Sequence, residues 1–246
     1  KTVQMAEKDA FELAQETAER YKNEIKAELQ GARITAETLA TVFETLKTHG
    51  LTDRNMMNDI LKSALAKKDY LTAFCVAYDA DALDGLDKQR AGQKPAYDDT
   101  GRYSPYWNRL GGSIEVEPLY DIDSADWYIV PKSTKQEYIT DPYPYQVQGL
   151  PVMLASLVFP IVYQDRTIGI VASDIVLDTL QEMVSRVNPR GKGGHTRIIS
   201  NSGIIVAHPD KRYLGKDLMG WLLHNSLTAD PSGVNEALRV LEQFRA

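Results

Sequence analysis

Apolar and small residues recur at steps of three and four from Phe11 through Ala14, Ala18, Tyr21, Ile25, Leu29, Ala32, Ala36, Leu39, Phe43 and Leu46, with Glu, Lys, Gln and Arg between them. This spacing lines one face of a helix with apolar groups. Residues 1–48 contain no proline and a single glycine, Gly31, so nothing interrupts the pattern. At ~1.5 Å per residue the helix runs roughly 70 Å, so part of it packs on a partner or stands clear. It ends at Thr48-His49-Gly50, where glycine suits the C-terminal cap. A second helix, capped by Thr52 or Asp53, is predicted to about Lys67.

The period then shortens. Tyr70–Tyr78 (YLTAFCVAY) is aromatic, apolar and short, which predicts a strand. Residues 79–112 are polar and read as one long surface excursion, a kind of segment that is usually functional. A helix-like stretch from Asp126 to about Lys135 is weakened by Pro131. Strands follow at Glu137–Thr140 continuing into DPYPYQV, at Pro151–Tyr163 and at Thr167–Ile175, the last two joined by a tight turn at Gln164-Asp165-Arg166. A helix is predicted over Leu177–Val187, then a glycine-rich linker, Asn188–Gly194. Two short strands surround Asn201-Ser-Gly203. The architecture is α+β: a long N-terminal helix (1–50), a first antiparallel-sheet module (51–187) and a second (188–246). Two strands rarely make a stable sheet alone, so the second module is expected to be incomplete in this chain.

Composition narrows the function. The 246 residues are 43% hydrophobic and 25% charged with a net charge of −6, and the basic residues are not clustered. No nucleic-acid footprint is expected. The single cysteine, Cys75, lies in an apolar run and is expected to fill core, with no disulfide. No run of about 18 apolar residues is present, and the start KTVQMAEKDA shows no secretory leader. A soluble piece of a longer membrane protein has this form, and so does a cytosolic protein. No phosphate loop, dinucleotide fingerprint, zinc-protease motif or nucleophile elbow is found, and the four histidines are scattered. His208-Pro-Asp210 reads as a turn. The chain is expected not to be an enzyme and to hold neither cofactor nor metal.

Several segments carry a resemblance. They are Tyr103-Ser-Pro-Tyr-Trp-Asn-Arg109, Asp126-Trp-Tyr128, Thr140-Asp-Pro-Tyr143, Ser156–Pro160 (SLVFP) and Ile168–Ile175, then Gly193-Gly194, Ile199-Ser-Asn-Ser-Gly203 and Ala207-His-Pro-Asp210. In this order the chain resembles the double Cache (dCache) sensor domains of chemotaxis receptors and sensor histidine kinases, over roughly residues 20–218. The resemblance implies two PAS-like modules on a long helix, a small-molecule ligand in the membrane-distal module, and a homodimer along the helix. It also implies an extracytoplasmic location within a membrane-anchored protein.

The ligand site is expected on the strand Thr167–Ile175, where Ile168, Ile170, Ala172 and Asp174 share a face by the strand period. A carboxylate ending an apolar face needs solvent, a hydrogen bond or a cation. Asp174 is therefore either a cap for the following helix or, as the resemblance implies, a ligand anchor. Tyr143 and Tyr145 share a strand face with Pro144 turned away, and Trp107, Tyr120, Trp127 and Tyr128 add aromatic surface that is either core or cage. Amino-acid-binding members of the family carry an arginine two positions before the tryptophan, where this chain has Ala125. They also carry an aspartate two positions after the Asp-Pro-Tyr tyrosine, where it has Tyr145. The remaining set (Asp126, Asp174 and the rings) points to an amine or quaternary ammonium ligand, favoured by cation–π attraction. Lys132 is either a solvated charge or an anion partner that would instead favour a carboxylate or phosphate. The alternatives are a sensor of carboxylates or amino acids, and an interaction module with a vestigial pocket.

Overall fold

The computed structural model describes residues 2–69, 71–186, 197–200, 202–208 and 210–218. The linker expected at Asn188–Gly194 and everything beyond Leu218 lie outside them. Helix α1 spans Thr2–Thr48, as the unbroken three–four spacing requires, and Gly50 takes the left-handed conformation just past its end (φ +69°). Helix α2, Arg54–Ala66, is capped by Asp53, whose carboxylate accepts from the Met56 amide at 2.9 Å. The chain divides into two compact units, residues 1–179 and 180–246.

The first unit is built on a seven-stranded antiparallel sheet. Its strands are β1 (Ala73–Tyr78), β2 (Pro105–Asn108), β3 (Glu115–Pro118), β4 (Tyr138–Ile139), β5 (Tyr143–Val147), β6 (Leu150–Tyr163) and β7 (Arg166–Val176). The order is β3-β2-β1-β7-β6-β4, with β5 also paired to β6. The β6–β7 hairpin closes through Gln164 (φ +49°) and Asp165 (φ +60°), a two-residue turn whose twist matches that of the strands. One face of the sheet, with Phe74, Val76, Tyr78, Trp107, Leu157, Phe159 and Val171, packs on Ala36, Leu39 and Phe43 of α1 and on Met57, Leu61 and Leu65 of α2. The other face is covered by the 310 turn Ile122–Ser124, by helix α4 (Asp126–Thr134) and by Tyr143 and Tyr145 of β5.

The stretch 79–112, expected as one loop, contains the short helix α3 (Asp87–Arg90) and strand β2. Strand β2 is four residues, all buried, so it shows no alternation for a periodicity reading to detect. The remainder is pinned by Arg54 of α2, which is buried and donates to Asp84 at 2.6 Å, to Asp87 at 2.5 Å and to the Gly101 carbonyl at 2.9 Å. Ile168 also departs from expectation. A register shift pairs Ile161 with Gly169 but Val162 with Thr167, so Ile168 is the extra residue of a bulge and packs toward the α1 side. Only Ile170, Ala172 and Asp174 share the α4-facing side.

In the second unit, β8 (Ile198–Ile199) and β9 (Ile205–Ala207) form a hairpin with Gly203 at φ +89° in its turn. The Gln181 side chain, in helix α5 (Leu177–Arg186), accepts from the His208 amide at 2.9 Å. His208 closes the expected turn by accepting from the Asp210 amide at 3.0 Å.

Candidate ligand-binding site

Cross-strand register assembles the site. Asn108, Ala73, Asp174 and Ser156 stand opposite one another in a row across β2, β1, β7 and β6. The adjacent row is Tyr106, Cys75, Ala172 and Val158. On this face β1 carries only the small side chains Ala73, Cys75 and Ala77, and β7 has Ala172 between Ile170 and Asp174. The opposite face carries Phe74, Val76, Tyr78 and Val171. Tyr106 of β2 and Tyr143 and Tyr145 of β5 pack in the same cluster as these small residues.

Asp174 is 4% exposed. Its Oδ1 accepts from Ser156 Oγ at 2.6 Å, and Ser156 Oγ lies 2.8 Å from the Tyr143 hydroxyl. Among the described residues no cation forms a salt bridge with it. Burial pushes its pKa up to about 6, against the opposing pull of the Ser156 hydrogen bond and of the nearby Tyr106 hydroxyl. The Tyr106 hydroxyl is itself buried and among the described residues has no partner in hydrogen-bond geometry. Burial likewise raises the Cys75 thiol, with Asp174 adding to it. These residues read Asp174 as a buried anion. Helix α5 begins three residues later, but the carboxylate is turned to the Ser156 hydroxyl.

The aromatic candidates divide. Tyr143 and Tyr145 lie on the Asp174 side with Pro144 exposed, their rings 6.3 Å apart at 81°. Tyr120, 40% exposed, stacks on Tyr145 at 4.3 Å and 9° and forms an outer lip. Trp127 and Tyr128, on the first turn of α4, are buried in the same cluster. Trp107 is not brought together with them. Neighbouring residues of a strand point to opposite faces, so with Tyr106 turned toward Asp174, Trp107 faces α2 and donates from Nε1 to Asn58 at 2.9 Å. Asp126 is exposed at the start of α4.

Lys132 belongs to a separate constellation. Its Nζ and the Tyr128 hydroxyl both donate to Asp79, just past β1, while Arg102 donates to Tyr128 at 2.7 Å and to Asp123 at 2.8 Å. Asp79 lies six residues along the chain from Ala73, the residue opposite Asp174, a separation of about 20 Å at ~3.3 Å per residue. A cleft of about 280 Å³ lies beside it, lined by Asp123, Tyr128, Ile129, Lys132 and Ser133. Lys132 is thus neutralised by the protein's own carboxylate. Tyr106, Ser156 and Cys75 are not legible as site residues in the sequence. Only the register that sets them beside Asp174 singles them out, and for Tyr106 that depends on strand β2.

Residues 57–182 match the family model of the methyl-accepting chemotaxis protein-like first PDC sensor domain. Methyl-accepting chemotaxis protein TlpQ of Pseudomonas aeruginosa is 29% identical over 199 residues, 74% of this chain and 27% of that protein. The chain therefore spans about a quarter of that relative. Among solved structures, the extracellular domain of mmHK1S-Z3, described as a histidine kinase, is 35% identical with a TM-score of 0.76, over 86% of this chain and 75% of that one. The ligand-binding domain of the Pseudomonas fluorescens chemoreceptor CtaA, in complex with L-isoleucine, shares the fold at 17% identity and a TM-score of 0.59, over 90% of this chain and 78% of that one. With the long helix, the antiparallel sheet and the match over its first module, the chain belongs to the methyl-accepting chemotaxis protein-like family of first PDC sensor domains, the extracytoplasmic sensory domains of chemoreceptors and histidine kinases.

Proposed function

We propose that the chain senses an amine or quaternary ammonium compound, held in the first module with its positive charge against Asp174. The observation that carries this reading is the Asp174 carboxylate: buried, hydrogen-bonded by a hydroxyl, and without a salt bridge among the described residues. An ionised carboxylate in such surroundings is costly until a cation joins it. Tyr143 and Tyr145 provide the aromatic wall beside Asp174 and Tyr120 its rim, with Trp127 and Tyr128 in the same apolar cluster.

CtaA in complex with L-isoleucine makes an amino acid the natural rival. An α-amino acid brings a carboxylate that needs a cation of its own. Ala125 stands where the amino-acid binders have arginine, and Lys132 is held by Asp79. This favours a ligand with a positive head and no acid. Isothermal titration calorimetry with a panel of amines, amino acids and simple carboxylates is expected to give heats with amines, lost in Asp174→Asn. Binding confined to carboxylates defeats the reading. A melting temperature unmoved by every compound instead favours an interaction module with a vestigial pocket.

In the same proposal the whole protein is a membrane-anchored receptor. Its ligand site is in residues 51–187, residues 188–246 belong to a second module, and two copies pair along α1. The ligand acts by binding one of two arrangements of the protein better than the other.

A further inference from the structure

We propose that the Asp174 site reads the N–H donors of a primary ammonium group, and that Tyr106 is the residue that separates primary amines from quaternary ammonium compounds. This rests on the amine reading above and narrows it.

Hydrogen-bonding capacity around the carboxylate is only partly used. Ser156 Oγ occupies Asp174 Oδ1, and the Tyr143 hydroxyl bonds to Ser156 Oγ. Three acceptor positions remain: the second carboxylate oxygen, a lone pair on Tyr143 and the oxygen of Tyr106. The Tyr106 hydroxyl is the most telling. The residue is 1% exposed, its hydroxyl has no hydrogen-bond partner among the described residues, and it interacts with Asp174. With its O–H directed at the Asp174 carboxylate, the buried phenol oxygen keeps a lone pair that a ligand N–H can meet. A primary ammonium carries three N–H donors. A quaternary ammonium carries none, and its methyl shell holds the charge away from the carboxylate while these acceptors stay unpaired. A site with buried hydrogen-bonding groups rejects an analogue that lacks the matching groups.

A methylated head group binds best between open ring faces. Here the rings engage one another. Tyr145 gives a face to Tyr120 at 4.3 Å and meets Tyr106 at 6.1 Å and 63° and Tyr143 at 6.3 Å and 81°. The floor of small residues, Ala73, Cys75 and Ala172, offers no aromatic surface either.

The test is calorimetric titration of the purified chain with butylamine, N,N-dimethylbutylamine and butyltrimethylammonium, which share one alkyl chain and one charge but differ in N–H count. Affinity is expected to fall in that order, by at least tenfold from first to last. In Tyr106→Phe, with an unchanged melting temperature, the gap should shrink to about threefold or less through loss of butylamine affinity. Equal affinity of the first and last compounds for the wild type overturns the proposal but leaves the amine reading standing. Heats from none of the three, at concentrations where carboxylates bind, overturn both. If Tyr106→Phe does not fold, the order for the wild type decides alone. A variant that folds and keeps the full gap removes Tyr106 from the role.

Discussion

Asp174 makes a pH dependence of the protein a property of one side chain. Burial raises its pKa to about 6, whereas an unfolded chain holds aspartate near ~3.9. The groups facing it are Tyr106 and Asn108 of β2, Cys75 of β1, Ser156 of β6 and Tyr143 and Tyr145 of β5, none of them a cation. Because the folded value is the higher one, the folded state binds the proton more tightly. The stability this brings is complete below pH ~4 and is lost as pH rises through about 6, a change of roughly 3 kcal/mol. Denaturant melts from pH 4 to 8 should show the ligand-free wild type losing stability relative to Asp174→Asn over that window. Parallel curves would remove the premise of a buried anion. Amine affinity should run the other way, rising about tenfold per pH unit below 6 and levelling above it, since the cation needs the ionised form.

At the scale of elements, long regular pieces are legible in the sequence and short ones are not. Helix α1 announces itself through eleven apolar positions in one spacing, and β6 and β7 through length and β-branched content. Strand β2 is only Pro105–Asn108, set in polar sequence, and its pairing with β1 is a long-range fact. Without the parity of that strand, Trp107 reads as a pocket residue and Tyr106 does not. The bulge at Ile168 hides for a similar reason, since one inserted residue switches the face of its neighbours along the strand and leaves no mark in the sequence. At the adjacent Gly169, β7 lies close against the backbone of β1. A Cβ there would stand 2.5 Å from the Ala77 carbonyl oxygen and 3.0 Å from Tyr78 Cα. Both are backbone atoms, so Gly169→Ala is expected to cost about 1–3 kcal/mol in urea denaturation, more than a surface substitution. A change within about ±0.5 kcal/mol would mean the strands separate there at little cost.

For the whole molecule, the question is what the N-terminal part of α1 does. Among the described residues, those buried on the sheet start at Ala32, whereas the apolar spacing in the sequence starts at Phe11. An apolar spacing that continues N-terminal to Ala32 suits a second copy of itself. Sedimentation velocity should therefore find dimers of the intact chain and monomers once residues 1–30 are removed. A monomer at about 100 μM for the intact chain would rule out pairing by this stripe alone. Any such pairing bears on how occupancy is reported, because β6 and β7 alternate between the two sides of the sheet. Ser156 and Asp174 are hydrogen-bonded on the side of α4 and β5, while their immediate neighbours Leu157 and Ile175 pack in the cluster that includes α1. A rotation of either strand about its own backbone would therefore move a residue on the Asp174 side and a residue on the α1 side together.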